Sequence, residues 1–155
     1  MSRELMRALV AEAIGTFALV SAGCGAIMVD ASTHQLGHVG VALTFGLVIM
    51  FGIYAVGHIS GVHFNGAVTF AFALTRHFPW QRALAYCFAQ LTGALAAAAL
   101  LRASLGDVAQ HGLWVYVLAP VVGTSLGGLA YQFVRGEHPQ PAELHADAQP
   151  VEEAA

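Results

Sequence analysis

The chain has 155 residues, of which 57% are hydrophobic and 10% charged, where an average soluble domain carries about 25% charged residues. That balance excludes an ordinary soluble globular domain. Six basic residues against a formal net charge of −3 leave no basic surface for nucleic acid either.

The charge is unevenly placed, because Glu137, Glu143, Asp147, Glu152 and Glu153 all lie beyond Arg135. The tail over 137–155 is rich in Pro, Ala and Glu and has no apolar periodicity to offset the entropy of ordering it, so it is expected to be a disordered acidic tail. Residues 1–136 are left as a membrane domain.

Along that domain, four windows approach the ~20 apolar residues needed to cross ~30 Å of hydrocarbon as a helix. The first covers 8–29 and contains Glu12, a carboxylate that costs about 3 kcal/mol at the centre of a bilayer on insertion scales unless it is paired or hydrogen-bonded. Its "SAGC" at 21–24 faintly resembles a lipoprotein cleavage site, but Glu12 interrupts the run and three further spans follow,. The second window covers 39–56, the third 83–101 and the fourth 113–134. Cys24 and Cys87 lie inside these spans, where a thiol behaves as a small hydrophobe and no disulfide is expected. Gly123 and Gly127 give the fourth span a small packing face, and Pro120 is expected to kink it.

All six basic residues are arginines. Arg3 and Arg7 precede the first span, Arg76 and Arg82 separate the second from the third, and Arg135 follows the fourth; Arg102 alone lies on the other side. Under the positive-inside rule both termini are cytoplasmic.

With that topology the segment over 57–82 starts and ends on one side, so it holds no full crossing. Read as part of a soluble protein, Asn65 and Gly66 would be a hairpin turn. But 66–74, "GAVTFAFAL", is apolar and half a span long, which fits a re-entrant half-helix,. The preceding "HISGVHF" would then be irregular backbone at membrane depth, tolerated only where protein buries it or water lines it. Asn65 falls at the N-cap, its NH₂ left as a donor. A helix N-terminus at that depth favours neutral polar or anionic guests and repels cations.

The segment "GHISGVHFNGAVT" (57–69) resembles the first re-entrant loop of the aquaporin, or major intrinsic protein, family, whose pattern is ser-gly-x-his-x-asn-pro-ala-val-thr. Further stretches resemble the family's first, second, third and sixth helices in order: "AEAIGTFALV" (11–20), "ALTFGL" (42–47), "AQLTGALAAAALL" (89–101) and "LWVYVLAPVVGTSLGGLAYQF" (113–133). The resemblance implies an inverted repeat of six spans and two half-helices whose loops meet at mid-membrane. Here the fourth and fifth helices, and the second loop with its asn-pro-ala-arg motif, have no counterpart. Tyr86, Ala89 and Gly93 recur as Tyr116, Ala119 and Gly123, as expected if the last helix is the second repeat's copy of the third. The expected fold is an all-α polytopic membrane protein, aquaporin-like, with four transmembrane helices and one half-helix.

The resemblance also implies roles for individual residues. Glu12 would accept N–H groups of the re-entrant backbone, and Gln90 would support the same loop. His63 would brace it, leaving the carbonyls of Gly61, Val62 and His63 to line a path beside Asn65 and Ala67. Phe45 matches the family's aromatic selectivity position. Gly66 replaces the motif proline, whose twin in the second loop is missing.

The expected function is a channel for water or small neutral solutes, incomplete as a single chain; the alternative is a non-conducting remnant or membrane assembly partner. The expected partners are the lipid bilayer, the solute and further copies of the chain, a tetramer by resemblance, in the plasma membrane. No enzymatic chemistry, cofactor or metal is expected: His58 and His63 share one short segment, whereas bis-His haem ligation needs facing helices.

Overall fold

The computed structural model describes residues 2–106 together with Leu126, Leu129, Ala130 and Phe133. The described residues fold as α1 (Arg3–Thr33), α2 (Gly37–Ser60), α3 (Gly66–Leu74) and α4 (Trp80–Leu105). Among them, α1, α2 and α4 are long and apolar enough to cross a membrane, and α3, with 9 residues, covers about 13 Å, less than half the hydrocarbon thickness.

Each long helix overruns its apolar window. The Ser2 hydroxyl accepts the Leu5 N–H at 3.2 Å and starts α1 five residues ahead of position 8. The helix ends at His34, which adopts a left-handed conformation (φ 55°) and returns its N–H to the Asp30 carbonyl. Leu36, at the N-cap of α2, has no capping side chain. Asp30 takes over that task, one carboxylate oxygen accepting the N–H groups of Leu36 (3.0 Å) and Gly37 (2.8 Å). The turn over 34–36 is thereby closed by a residue of the preceding helix, so α1 and α2 form a tight hairpin.

The expected irregular stretch before α3 is shorter than "HISGVHF". His58, Ile59 and Ser60 are helical, because three separate bonds hold the C-terminus of α2. Gly61 (φ 83°) supplies the left-handed cap and donates to the Gly57 carbonyl,. The Ser60 carbonyl accepts the Tyr86 hydroxyl at 3.1 Å, and the Ser60 hydroxyl accepts the Val62 N–H at 3.2 Å. Only 61–65 is irregular.

α1 is the central element, packing against both α2 and α4, while α3 packs on α4. Its covered face runs through Ala8, Ala11, Glu12, Gly15, Thr16, Gly23 and Ala26, the i, i+3, i+4 rhythm of one helical stripe. The residues are small because the backbones meet closely: a Cβ on Gly93 of α4 would lie 2.1 Å from the Ala13 carbonyl oxygen of α1. Between apolar helices in lipid, such close approach is the main source of attraction. Large apolar side chains point the other way, among them Ile14, Val39, Leu43, Phe51, Tyr54 and Phe88. In water this outer face would be an aggregation surface; in a bilayer it meets hydrocarbon. The fourth expected span and the expected disordered tail lie outside the described residues, apart from the four isolated positions, which are helical.

Candidate functional site

The loop over 61–65 carries the chain from the end of α2 to the start of α3, and its backbone conformation is unusual. Besides Gly61, Val62 (φ 54°) and Phe64 (φ 47°) sit in the left-handed region. That region disfavours a β-branched residue above all, at a cost of roughly 1–3 kcal/mol for each such position. The conformation persists because its donors are held from outside the loop. The Glu12 carboxylate, 0% exposed, accepts the His63 N–H on one oxygen at 3.0 Å and the Phe64 N–H on the other at 2.6 Å.

Gln90 of α4 completes the arrangement. Its amide NH₂ donates to the second Glu12 oxygen at 2.7 Å and to the Thr69 hydroxyl at 2.9 Å. A carboxylate only accepts, so the amide is oriented with nitrogen toward Glu12. Thr69, also 0% exposed, donates its own proton to the Asn65 carbonyl at 3.2 Å. Its remaining acceptor capacity faces His63 Nδ1 at 3.0 Å. A hydroxyl has one proton to give, so His63 carries its hydrogen on Nδ1 in this network. The His63 ring is further enclosed by Phe72, Phe78 and Tyr86, with centroids 4.9, 4.8 and 5.3 Å away.

Phe64 supplies the apolar anchor. A Cβ on Gly15 of α1 would come within 1.9 Å of its ring, and one on Gly52 of α2 within 2.3 Å. The ring thus fills a slot that exists only because two helices carry glycine there. Gly15 lies about 18 Å along α1 from its start, so the loop reaches the interior of the bundle. Asn65 then opens α3, its Oδ1 accepting the Ala67 N–H at 2.8 Å. Among the described residues its NH₂ has no acceptor, and the side chain is half-buried.

Of the residues singled out from the sequence, Glu12, His63, Asn65, Gly66, Ala67 and Gln90 are brought together with Gly61 and Val62 in one connected region. Phe45 is not part of it. Its ring lies against Gly23 of α1, where a Cβ would approach to 2.3 Å, about 10 Å along α2 from Gly52. His58 is exposed on the last turn of α2. Sequence reasoning overlooked Phe64, Thr69, Ser60 and the glycine pair. Thr69 carried a readable signal, since it stands at i+4 from the capping Asn65 on a short helix. Phe64 carried none, being one apolar residue among many.

The chain is similar in sequence to known proteins. The family model for major intrinsic proteins matches residues 1–113. The chain is 48% identical over 111 residues to Aquaporin NIP1-1 of Oryza sativa subsp. japonica, covering 71% of this chain and 39% of that protein. It is 42% identical over 134 residues to Aquaporin NIP1-3 of the same organism, covering 86% of this chain and 46% of that protein. Against Nodulin-26 of Glycine max the identity is 46% over 102 residues, covering 65% and 38%. The chain thus spans less than half the length of these relatives. With a membrane-spanning helical bundle, a half-helix capped by asparagine and a family match over most of its length, the chain belongs to the major intrinsic protein family.

Proposed function

We propose that this chain is a membrane channel protein for water or small neutral solutes, and that several copies associate, as a tetramer, to complete the pore. The observation that supports this most directly is the half-helix α3, whose capped N-terminus follows a loop anchored inside the bundle by Glu12 and Phe64. In this reading Asn65 presents its NH₂ to the passing solute, and the carbonyls of Gly61, Val62 and His63 continue the polar side of the path. Ala67 and Gly66 keep the wall slender. Glu12 and Gln90 hold the loop, and Phe45 narrows the path further along α2. The positive end of the α3 dipole disfavours cations there. No enzymatic role is assigned.

Five of the six arginines favour an orientation with both termini in the cytoplasm,, and the plasma membrane is the proposed location. The sequence supplies one asparagine loop, half of the opposed pair that the family uses, and a second copy is the simplest source of further pore wall.

The test is osmotic shrinkage of proteoliposomes followed by stopped-flow light scattering, with the unsubstituted chain, Asn65→Ala, Asn65→Asp and empty vesicles. Aspartate caps a helix as well as asparagine does but offers no NH₂, so it separates solute contact from folding. Fast shrinkage lost in both variants is the expected result. Shrinkage no faster than in empty vesicles, with the protein folded and inserted, would leave a non-conducting assembly partner.

A further inference from the structure

At the end of the bundle where α1 and α4 begin and α2 finishes, an open cavity of about 370 Å³ lies between the three helices. Ala8 and Tyr86, both buried, line it together with Leu5 and Ile59, and the exposed Arg7, Arg82, His58 and Glu4 supply its polar groups. The Tyr86 hydroxyl is already committed to the Ser60 carbonyl, which leaves the ring as an apolar base. Two guanidinium groups face one carboxylate, so the lining carries a net positive charge. Neither arginine is in a salt bridge with the described residues. The first turns of α1 and α4 add two positive helix ends against the single negative end of α2.

We propose that this cavity binds a phosphate group, and that its source is the headgroup of an anionic phospholipid. Paired guanidinium groups match phosphate oxygens with parallel N–H donors, which a single ammonium cannot do. His58 adds a ring N–H. The volume sits at the small end of the range for ligand sites, roughly 300–1,000 Å³, which suits a headgroup with an apolar base under it. The depth is also right. The cavity lies at helix ends, on the side where α4 starts with Trp80, which is half exposed and packed edge-on against Phe70 at 5.6 Å, and tryptophan concentrates at the headgroup level. Basic pockets between transmembrane helices are a recurrent form of headgroup recognition. Glu4 opposes the anion and selects for a headgroup whose phosphate reaches past it to Arg7 and Arg82.

The inference needs the chain to be membrane-embedded but not to conduct, so it and the channel reading fail separately. Native mass spectrometry of the full chain from neutral detergent, titrated with phosphatidic acid and with phosphatidylcholine of equal chain length, measures it. The first phosphatidic acid is expected to bind roughly 30-fold more tightly than phosphatidylcholine, on the order of 1 kcal/mol for each arginine. The preference should vanish in Arg7→Gln/Arg82→Gln, persist in part in Arg7→Lys/Arg82→Lys, and survive unchanged in Arg3→Gln/Arg76→Gln, which removes equal charge elsewhere. Displacement of the lipid by millimolar inorganic phosphate would assign the same site to the free anion. Equal affinity for both lipids, or equal loss in the control variant, overturns the site.

Discussion

Two breaks in the helical chain meet the same chemical problem and solve it in opposite ways. At 34–36 and at 61–65 the backbone leaves one helix and enters another, so N–H groups at each helix start lack partners. The first break is exposed, and Asp30 satisfies it from 6 and 7 residues away. The second has its His63 and Phe64 buried, and Glu12 satisfies their N–H groups from 51 and 52 residues away in sequence while Gln90 reaches Thr69 of the half-helix from 21. Water can replace a lost partner at the first. At the second, the His63 and Phe64 N–H groups turn inward onto Glu12, and an orphaned donor there keeps its full desolvation penalty.

That contrast predicts unequal sensitivity. Glu12→Ala strands the His63 and Phe64 N–H groups and half of the Gln90 amide together, and is expected to cost about 3 kcal/mol or more. The loss should be visible as a lower unfolding midpoint in mixed detergent micelles. Glu12→Gln should fall between, because one amide oxygen can still accept while the NH₂ meets another donor. If Glu12→Ala proves no worse than Asp30→Ala, the remote anchoring of the buried break is wrong.

Gly15→Leu attacks the same break through its apolar anchor. Any side chain at 15 must displace the Phe64 ring, and overpacking of this kind costs roughly 1–3 kcal/mol. Loop and α1 would separate, so water permeability should fall with stability. Gly46 of α2, with nothing within 4 Å of a Cβ, is the matched control, and Gly46→Leu should leave both unchanged. Asp30→Ala completes the comparison at about 1 kcal/mol or less, with permeability preserved.

The same contrast explains what the sequence could convey. The lengths of the apolar runs gave four spans and a half-span because the bilayer imposes a fixed thickness, three of the spans and the half-span fall among the described residues, and the half-length of "GAVTFAFAL" was the clearest single clue. The helix ends lie outward of the windows, at Arg3–Thr33, Gly37–Ser60 and Trp80–Leu105. Hydropathy measures the hydrocarbon slab, whereas the hydrogen-bond ladder continues into the interface until a cap such as Gly61 stops it. Glu12, Asn65, His63 and Gln90 stood out because polar groups in apolar runs have contrast. Phe64 and its glycine slot did not, since their content is shape, and shape depends on which helices meet.

Gly66→Pro is the smallest expected effect and the one that sharpens the comparison most. Asn65 before it has φ −156° and ψ 129°, within the extended region that a following proline requires. Gly66 occupies the first position of α3, where proline loses no intrahelical bond. Around it a Cβ would meet only Cys87 Sγ at 3.6 Å and Gln90 Oε1 at 3.8 Å, ordinary contact distances. The substitution should therefore stabilise the chain by about 0.4–1 kcal/mol by restricting its unfolded state. Because it fixes the start of α3 locally, it supplies to the buried break the kind of support that the exposed turn has already. Placed in Glu12→Gln it should recover part of the lost midpoint, while beside Asp30→Ala it should simply add; equal recovery in both backgrounds would mean that proline acts on the unfolded chain alone and leaves the loop as dependent on Glu12 as before.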